Sequence, residues 1–262
     1  MTQKKSNKSK KSKKSTESTK SKKSKKLSTA TSHNIVDIPL SKISNKGSGA
    51  SHGGVDYHYQ NYSNILEFFK NLAFKKLCLF ENPYIHLDVN DIKTGVFVLY
   101  DDSILIKNVK ECMKSSNIFI PVIFNLITSE DNHANILLIN KENKTIEVYE
   151  PHGSRTSSST LGGVPGAYRK KIKSLSRFWN KIIPGYRVVN SVDHQQGSAF
   201  QTTIDPDNHS GFCVTWSILF VHYRILNSTV PLPLLVKYIA QKITTRKLLQ
   251  YAKYVEDNIK NK

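Results

Sequence analysis

Residues 210–220 read SGFCVTWSILF, a small polar turn that runs into a cysteine and then into a long apolar segment. From Cys213 to about Asn227, apolar residues cover nearly every side of a predicted helix, which is typical of a central, buried helix. Two interpretations of Cys213 compete. Free cysteine is among the most buried side chains, so Cys213 could be an ordinary core residue. Alternatively, it is a thiol at a helix N-terminus, where partial positive charge favours the reactive thiolate.

The composition of the chain limits its class. Of its 262 residues, 38% are hydrophobic, which is enough for a sizeable core. Three cysteines without a C-x-x-C pair argue against a disulfide framework and a structural zinc site, and favour a reducing compartment. We therefore expect Cys78 and Cys112 to be structural. The longest apolar run, about nine residues, is short of the ~20 needed to span a membrane, and the charged N-terminus is not a secretory signal. The sequence predicts a soluble, intracellular protein.

Positive charge is concentrated at the N-terminus. Residues 1–26 hold twelve Lys and one Glu, so they carry +11 of the net charge of +19. Residues 4–26 include no apolar side chain to bury, and we predict that 1–32 is a disordered basic tail. A linker over 33–60, which includes a Gly/Ser-rich stretch, and a folded domain over 61–262 follow it. The tail is interpreted as a solubilising segment, as a contact for nucleic acid or another polyanion, or as a nuclear-import-like patch.

Hydrophobic periodicity predicts helices before and after a run of strands. We expect a helix over 63–73, strands over 95–100, 117–125 and 187–190, a hairpin of two strands at 134–140 and 145–150, a basic amphipathic helix over 167–182, and one or two helices over 231–260. The face of the basic helix is either simply solvated or meets an acidic partner. The mixture predicts an α+β domain with mostly antiparallel strands.

The hairpin supplies a base for Cys213. His133 stands at the entry to its first strand, and Glu150 ends the second strand 17 residues later. In an antiparallel hairpin the start of one strand lies beside the end of its partner, so we expect the two side chains to meet. A carboxylate there would hold the imidazole in the correct tautomer and stabilise its charged form, as nucleophilic catalysis by a thiol requires.

A third requirement is a set of donors for an oxyanion. The backbone N–H of Cys213 can be one, and a side-chain amide can be the second. The segment before the cysteine, HQQGSAFQTTIDPDNHSGFC, offers Gln195, Gln196 and Gln201.

The order of these residues resembles a known clan of enzymes. A histidine, an acid 17 residues later followed by Pro-x-Gly (EPHG, 150–153), a glutamine, and Gly-x-Cys opening an apolar helix are similar to the adenovirus-protease and ubiquitin-like-protease clan of cysteine peptidases. GFCVTWSILFVHYRILN (211–227) resembles thiol proteases encoded by large cytoplasmic DNA viruses. The resemblance covers residues 117–228, and papain-like enzymes differ because their cysteine comes first.

The resemblance implies a role for each residue of the pattern. Cys213 would be the nucleophile, His133 the general base, and Glu150 the residue that orients it. A glutamine would donate to the oxyanion; in the clan it lies about six residues before the cysteine, where this chain has Asp207. Interpreting TIDPDNHS as a loop insertion makes Gln201 the first choice and Gln196 the second.

The resemblance also implies a fold and an activity. The fold would be the adenain type, with a mostly antiparallel central sheet packed on the helix that starts at the nucleophile. The activity would be that of a cysteine endopeptidase in the host cytoplasm or virion, cleaving protein substrates such as virion structural precursors and needing no metal or organic cofactor. Two alternatives remain: an isopeptidase that removes ubiquitin or SUMO-type modifiers, and a virion-packaged nucleic-acid-binding protein with an inactive protease-like domain.

Overall fold

The structure of the chain is a computed structural model. It describes residues 34–40, 62–71, 76–81, 83–88, 102–127, 132–151, 167–191 and 212–260.

The described residues form six helices and five strands. The helices are α1 (Tyr62–Asn71), α2 (Asp102–Lys114), α3 (Ala167–Ile182), α4 (Phe212–Leu226), α5 (Leu232–Lys242) and α6 (Thr245–Lys260). The strands are β1 (Tyr84–Asp88), β2 (Phe119–Ile127), β3 (Asn132–Asn140), β4 (Thr145–Tyr149) and β5 (Arg187–Asn190). None of these helices is long and apolar enough to cross a membrane.

The strands form one sheet in the order β1-β2-β3-β4-β5. The central strands β2, β3 and β4 pair antiparallel, whereas the two edge strands β1 and β5 pair parallel with their neighbours. Residues 141–144 make the tight turn between β3 and β4. Gly185, with a φ of +87°, lies in the turn from α3 into β5, a conformation that glycine adopts without steric cost.

Helices cover both faces of the sheet, because alternate residues of β2, β3 and β4 point to opposite sides. On one face Phe119, Ile136, Leu138 and Tyr149 pack with α1, α4, α5 and α6, and we call this cluster the α4-side core. On the other face Leu137, Ile139, Ile146 and Val148, among others, pack with α2 and α3, and we call this cluster the α3-side core. Helix α4 is buried along almost its whole length, as its apolar sequence predicts.

The predicted α+β class is therefore confirmed. The hairpin of β3 and β4, the strand β5, the helices α1, α3 and α4, and the last two helices all correspond to predicted elements. The prediction of mostly antiparallel strands holds for the centre of the sheet. Strand β1 and helix α2 were not predicted, and the predicted strand at 95–100 lies outside the described residues.

Part of the predicted linker packs against the domain. Within 33–60 the structure describes residues 34–40, where Ile38 and Leu40 are buried in the α4-side core. Val36 donates its N–H to Asn227 Oδ1 at 2.7 Å, and Asn227 Nδ2 donates back to the Val36 carbonyl at 3.0 Å. The rest of the linker and the predicted disordered tail at 1–32 lie outside the described residues.

The cysteine count argued against a disulfide framework, but the structure has one disulfide bond. Cys78 and Cys112 are bonded to each other, across 34 residues of sequence. The cysteine count was misleading because three cysteines still allow one pair. The Cys78–Cys112 contact also depends on α2, which was not predicted. Both cysteines are structural, as expected. Disulfides are rare in reducing compartments, so this pair weakens the argument from cysteine count for such a compartment.

Candidate active site

Cys213 is the only cysteine outside the disulfide, and it is buried. It is the second residue of α4. A residue in the first turn of a helix lies among backbone N–H groups that have no partner within the helix and that carry partial positive charge. Reactive cysteines in enzymes are found at helix N-termini of this kind. The sequence prediction that Cys213 opens a buried helix is confirmed.

Two contacts fix how α4 lies along β4. Near the end of the helix, Arg224 pairs with Glu147 in the middle of the strand, with Nε 2.7 Å from Oε2. One turn earlier, the ring of Phe220 stacks on Tyr149 at the end of the strand, with centroids 4.5 Å apart and planes 7° apart. Four helical residues and two strand residues both advance by about 6–7 Å. The helix and the strand therefore run in opposite directions.

This alignment brings Cys213 to the end of β4 at which Glu150 lies. Cys213 precedes Phe220 by two helical turns, or about 10 Å, which corresponds to about three strand residues beyond Tyr149. On β3 the pairing of Ile136 with Tyr149 continues to position 133 at that level. The nucleophile candidate, Glu150 and the position of His133 thus share one end of the sheet.

Glu150 is completely buried, directly after β4. In the amide orientation that satisfies both side chains, Asn135 donates its Nδ2 to Glu150 Oε2 at 2.8 Å and to Oε1 at 3.2 Å. The Glu150 backbone N–H donates to Ser191 Oγ at 3.2 Å. These contacts hold Glu150 at the C-terminal end of β4. A buried carboxylate needs hydrogen-bond donors of this kind.

His133 belongs to β3, where it pairs with Leu126 of β2. The β3–β4 register sets Asn135, rather than His133, directly opposite Glu150, and His133 follows two residues further towards the start of the strand. Positions that are diagonal in this way lie about 7–8 Å apart at Cα and are within reach of long side chains. The hairpin thus brings the two positions close, with an offset that the sequence argument did not include.

The remaining predicted residues lie outside the described part of the chain. Gln201, Gln196 and Gln195 all fall within 192–211. The structure therefore leaves the glutamine donor as a prediction from the sequence.

Sequence reasoning missed three polar residues around the site. Asn135 and Ser191 hold Glu150, and Arg224 anchors α4 on β4. A signal existed for Asn135, since it is the polar residue within the otherwise apolar strand ANILLI. A buried polar group in a strand needs a partner, and that requirement points to the acid on the neighbouring strand.

The pKa of the buried Tyr149 is affected by its neighbour Glu150. Burial, and then the negative charge of Glu150, raise the pKa of Tyr149 well above its usual value. Tyr149 therefore stays neutral and acts as an apolar platform for Phe220. Among the residues that the structure describes, no cluster of three or more His, Cys, Asp or Glu could hold a metal ion.

Comparisons with known proteins gave matches among solved structures. A scan against protein-family models and a search of curated proteins found no match. Similar solved structures include the Chlamydia trachomatis effector protein ChlaDUB1, at 10% identity and a TM-score of 0.49, covering 81% of this chain and 87% of that chain. The ASFV pS273R protease has 13% identity and a TM-score of 0.41, covering 78% and 70%. The C-terminal protease domain of yeast Ulp1, solved with the SUMO ortholog Smt3, has 12% identity and a TM-score of 0.38, covering 78% and 80%.

Proposed function

We propose that the chain is a cysteine endopeptidase with Cys213 as the nucleophile, His133 as the general base and Glu150 as the residue that orients the histidine. The observation that carries this proposal is the alignment of α4 with β4. It sets the first turn of α4, which carries Cys213, at the level of position 133 and towards the end of β4 that is followed by the buried, hydrogen-bonded Glu150.

The mechanism is acyl transfer. His133 takes the proton of the Cys213 thiol, and the thiolate attacks the carbonyl carbon of a peptide bond. The backbone N–H of Cys213, together with a glutamine amide, stabilises the oxyanion, with Gln201 as the first candidate and Gln196 as the second. His133 then protonates the leaving amine, and a water molecule hydrolyses the thioester. Every step uses groups of the chain, its substrate and water.

The substrates we propose are proteins. Virion structural precursors, cleaved after small residues such as glycine, are the first candidates, and ubiquitin or SUMO-type conjugates are the second. The compartment we propose is the host cytoplasm or the virion. Both substrate classes require the same chemistry at Cys213, because peptide and isopeptide bonds are both amides that are broken by acyl transfer.

A second function rests on the tail. The +11 charge over residues 1–26 favours binding to nucleic acid or another polyanion through counterion release. Binding that weakens steeply with salt, and that deletion of residues 1–32 abolishes, would support this function. Such binding is compatible with protease activity in the rest of the chain.

The test of the protease proposal is the reactivity of Cys213. Folded protein is treated with iodoacetamide between about pH 5 and 9, and each cysteine is followed by mass spectrometry. We expect Cys213 to react much faster near pH 6 than a free thiol does, because a thiol with an ordinary pKa of about 8.5 is almost fully protonated there. We expect His133→Ala to remove that excess.

The matched control is His222→Phe, since His222 lies on the same helix as Cys213 but packs against α1 and α6. This variant should keep the fast alkylation of Cys213. If wild-type Cys213 stays inert until the protein unfolds, Cys213 is a core residue and the protease proposal is wrong. If alkylation is fast but His133→Ala leaves it unchanged, the assignment of the base is wrong.

A further inference from the structure

Helix α4 packs on the sheet through a mostly apolar surface, which sets its register along the strands only weakly. Its buried residues cover nearly the whole helix from Phe212 to Ile225. Apolar contacts are non-directional, so they specify the register of such a helix less sharply than a polar contact of fixed geometry does. The chemistry proposed for Cys213 needs the opposite, because an error of about 1 Å in a reacting group can slow a reaction a hundredfold.

One polar contact in this interface has a fixed geometry. The guanidinium of Arg224 meets the carboxylate of Glu147 in a bidentate pair, with Nε–Oε2 at 2.7 Å and Nη2–Oε1 at 2.9 Å. The two side chains are only 1% and 3% exposed. Planar pairs of this kind are directional as well as strong.

The other donors and acceptors of the pair are also engaged. Arg224 Nη1 donates to the carbonyls of Asn227, Ser228 and Val230, which ties down the chain after the last turn of α4. Asn140 Nδ2 donates to Glu147 Oε1 at 3.3 Å from the neighbouring strand β3. The pair therefore connects the end of α4 with two strands of the sheet.

We infer that the Glu147–Arg224 pair is a positioning device that sets the register of α4 on the sheet and thereby places Cys213 at the level of His133. This inference rests on the proposed function for its catalytic consequence. A helix that slid by one turn would leave two buried charges without partners, which is far more costly than the loss of apolar contacts. Arg224 lies eleven residues, or about 16 Å, from Cys213, and the rigid helix carries the register to the thiol.

The decisive variant removes both charges at once. Replacing a buried pair with apolar residues of similar volume is often neutral or stabilising, so Glu147→Leu with Arg224→Met should still fold. We expect a crystal structure of this double variant to show Cys213 displaced by about 1 Å or more relative to Glu150. We also expect alkylation of Cys213 near pH 6 to slow about tenfold or more, with its pH profile moved towards that of a free thiol.

A second variant tests the same inference if the double variant does not fold. Arg224→Lys keeps the charge but loses the fork geometry, and we expect an intermediate slowing of alkylation. Lys253 and Asp257, which are both partly exposed, form another pair at 2.9 Å on α6. Lys253→Met with Asp257→Leu is therefore a control for the loss of an ion pair, and it should leave alkylation unchanged.

The outcomes separate the two proposals. If the double variant folds with Cys213 in its original place and with the wild-type alkylation profile, the positioning role is wrong. If wild-type Cys213 shows no excess reactivity, the protease proposal fails. In that case the crystallographic position of Cys213 in the double variant still decides whether the pair sets the register.

Discussion

The two faces of the sheet use different means to hold their helices. The α3-side core is an apolar cluster around Trp179, closed by the Cys78–Cys112 disulfide. The α4-side core is larger, and it buries an ion pair, the imidazole of His222, and Ile38 and Leu40 of the strap formed by residues 34–40. Polar groups in a core cost free energy and return specificity of position. We therefore expect the position of the candidate nucleophile to depend on the polar contacts of the α4-side core, and not on the apolar cluster around Trp179.

A matched pair of tryptophans tests this difference most strongly. Trp179 of α3 and Trp216 of α4 are both fully buried, one in each core. Each substitution by alanine removes the same side chain from a packed interior, and we expect each to lower the free energy of unfolding by about 3–5 kcal/mol. Only Trp216→Ala, one turn from Cys213, should also slow alkylation of Cys213. Denaturant unfolding and alkylation rates, measured on both variants, check the comparison. Equal loss of Cys213 reactivity in both would show that the two faces do not differ in function.

Removal of the disulfide on the α3 side should have a smaller effect on the free energy of unfolding. Cys78 and Cys112 close a segment of 34 residues in sequence, and in the chain-entropy model a loop of that length contributes about 3–4 kcal/mol to stability. We expect Cys78→Ser with Cys112→Ala to lower the free energy of unfolding by that amount and to leave the pH profile of Cys213 alkylation unchanged. Urea unfolding without reductant measures the first effect. An unchanged midpoint would show that the bond does not constrain the unfolded chain.

Much of the α4-side architecture could be predicted from the sequence because its signals are local. The apolar run after Cys213 predicts a buried helix, and two β-branched segments joined by KENK predict a hairpin. The level of Cys213 relative to Glu150 could not be predicted. It depends on the Glu147–Arg224 contact, which joins residues 77 positions apart in the chain.

Sequence reasoning missed two elements for different reasons: strand β1 lacks a local signal, whereas helix α2 has one that was not used. Strand β1 has five residues and pairs in parallel with β2, so no turn marks its partner. Helix α2 does carry apolar residues at helical spacing, with Leu105, Val109 and Cys112 buried in the α3-side core. Interpreting Cys112 as an isolated residue concealed both that periodicity and the disulfide.

The smallest effect we predict concerns pH and the buried imidazole of α4. His222 packs among Phe68, Tyr251 and Tyr254, with Nδ1 3.3 Å from Tyr251 Oη. Burial lowers the pKa of His222 from 6.5 to about 4. Between these two values the unfolded chain binds a proton at this residue and the folded chain does not, so stability falls as the pH drops from about 6.5 to 4. The expected loss is about 2 kcal/mol at pH 5.

The variant His222→Phe isolates this term, because it keeps an aromatic ring in the aromatic cluster and removes the titration. The measurement is the difference in the free energy of unfolding between wild type and His222→Phe, by urea at about pH 7 and pH 5. We expect the wild type to lose about 2 kcal/mol more than the variant over this interval, since all other titrating groups are shared. A difference that does not change with pH would mean that His222 titrates normally in the folded protein. The α4-side core would then owe none of its pH sensitivity to this buried group, and the contrast between the two faces would rest on the ion pair and the strap.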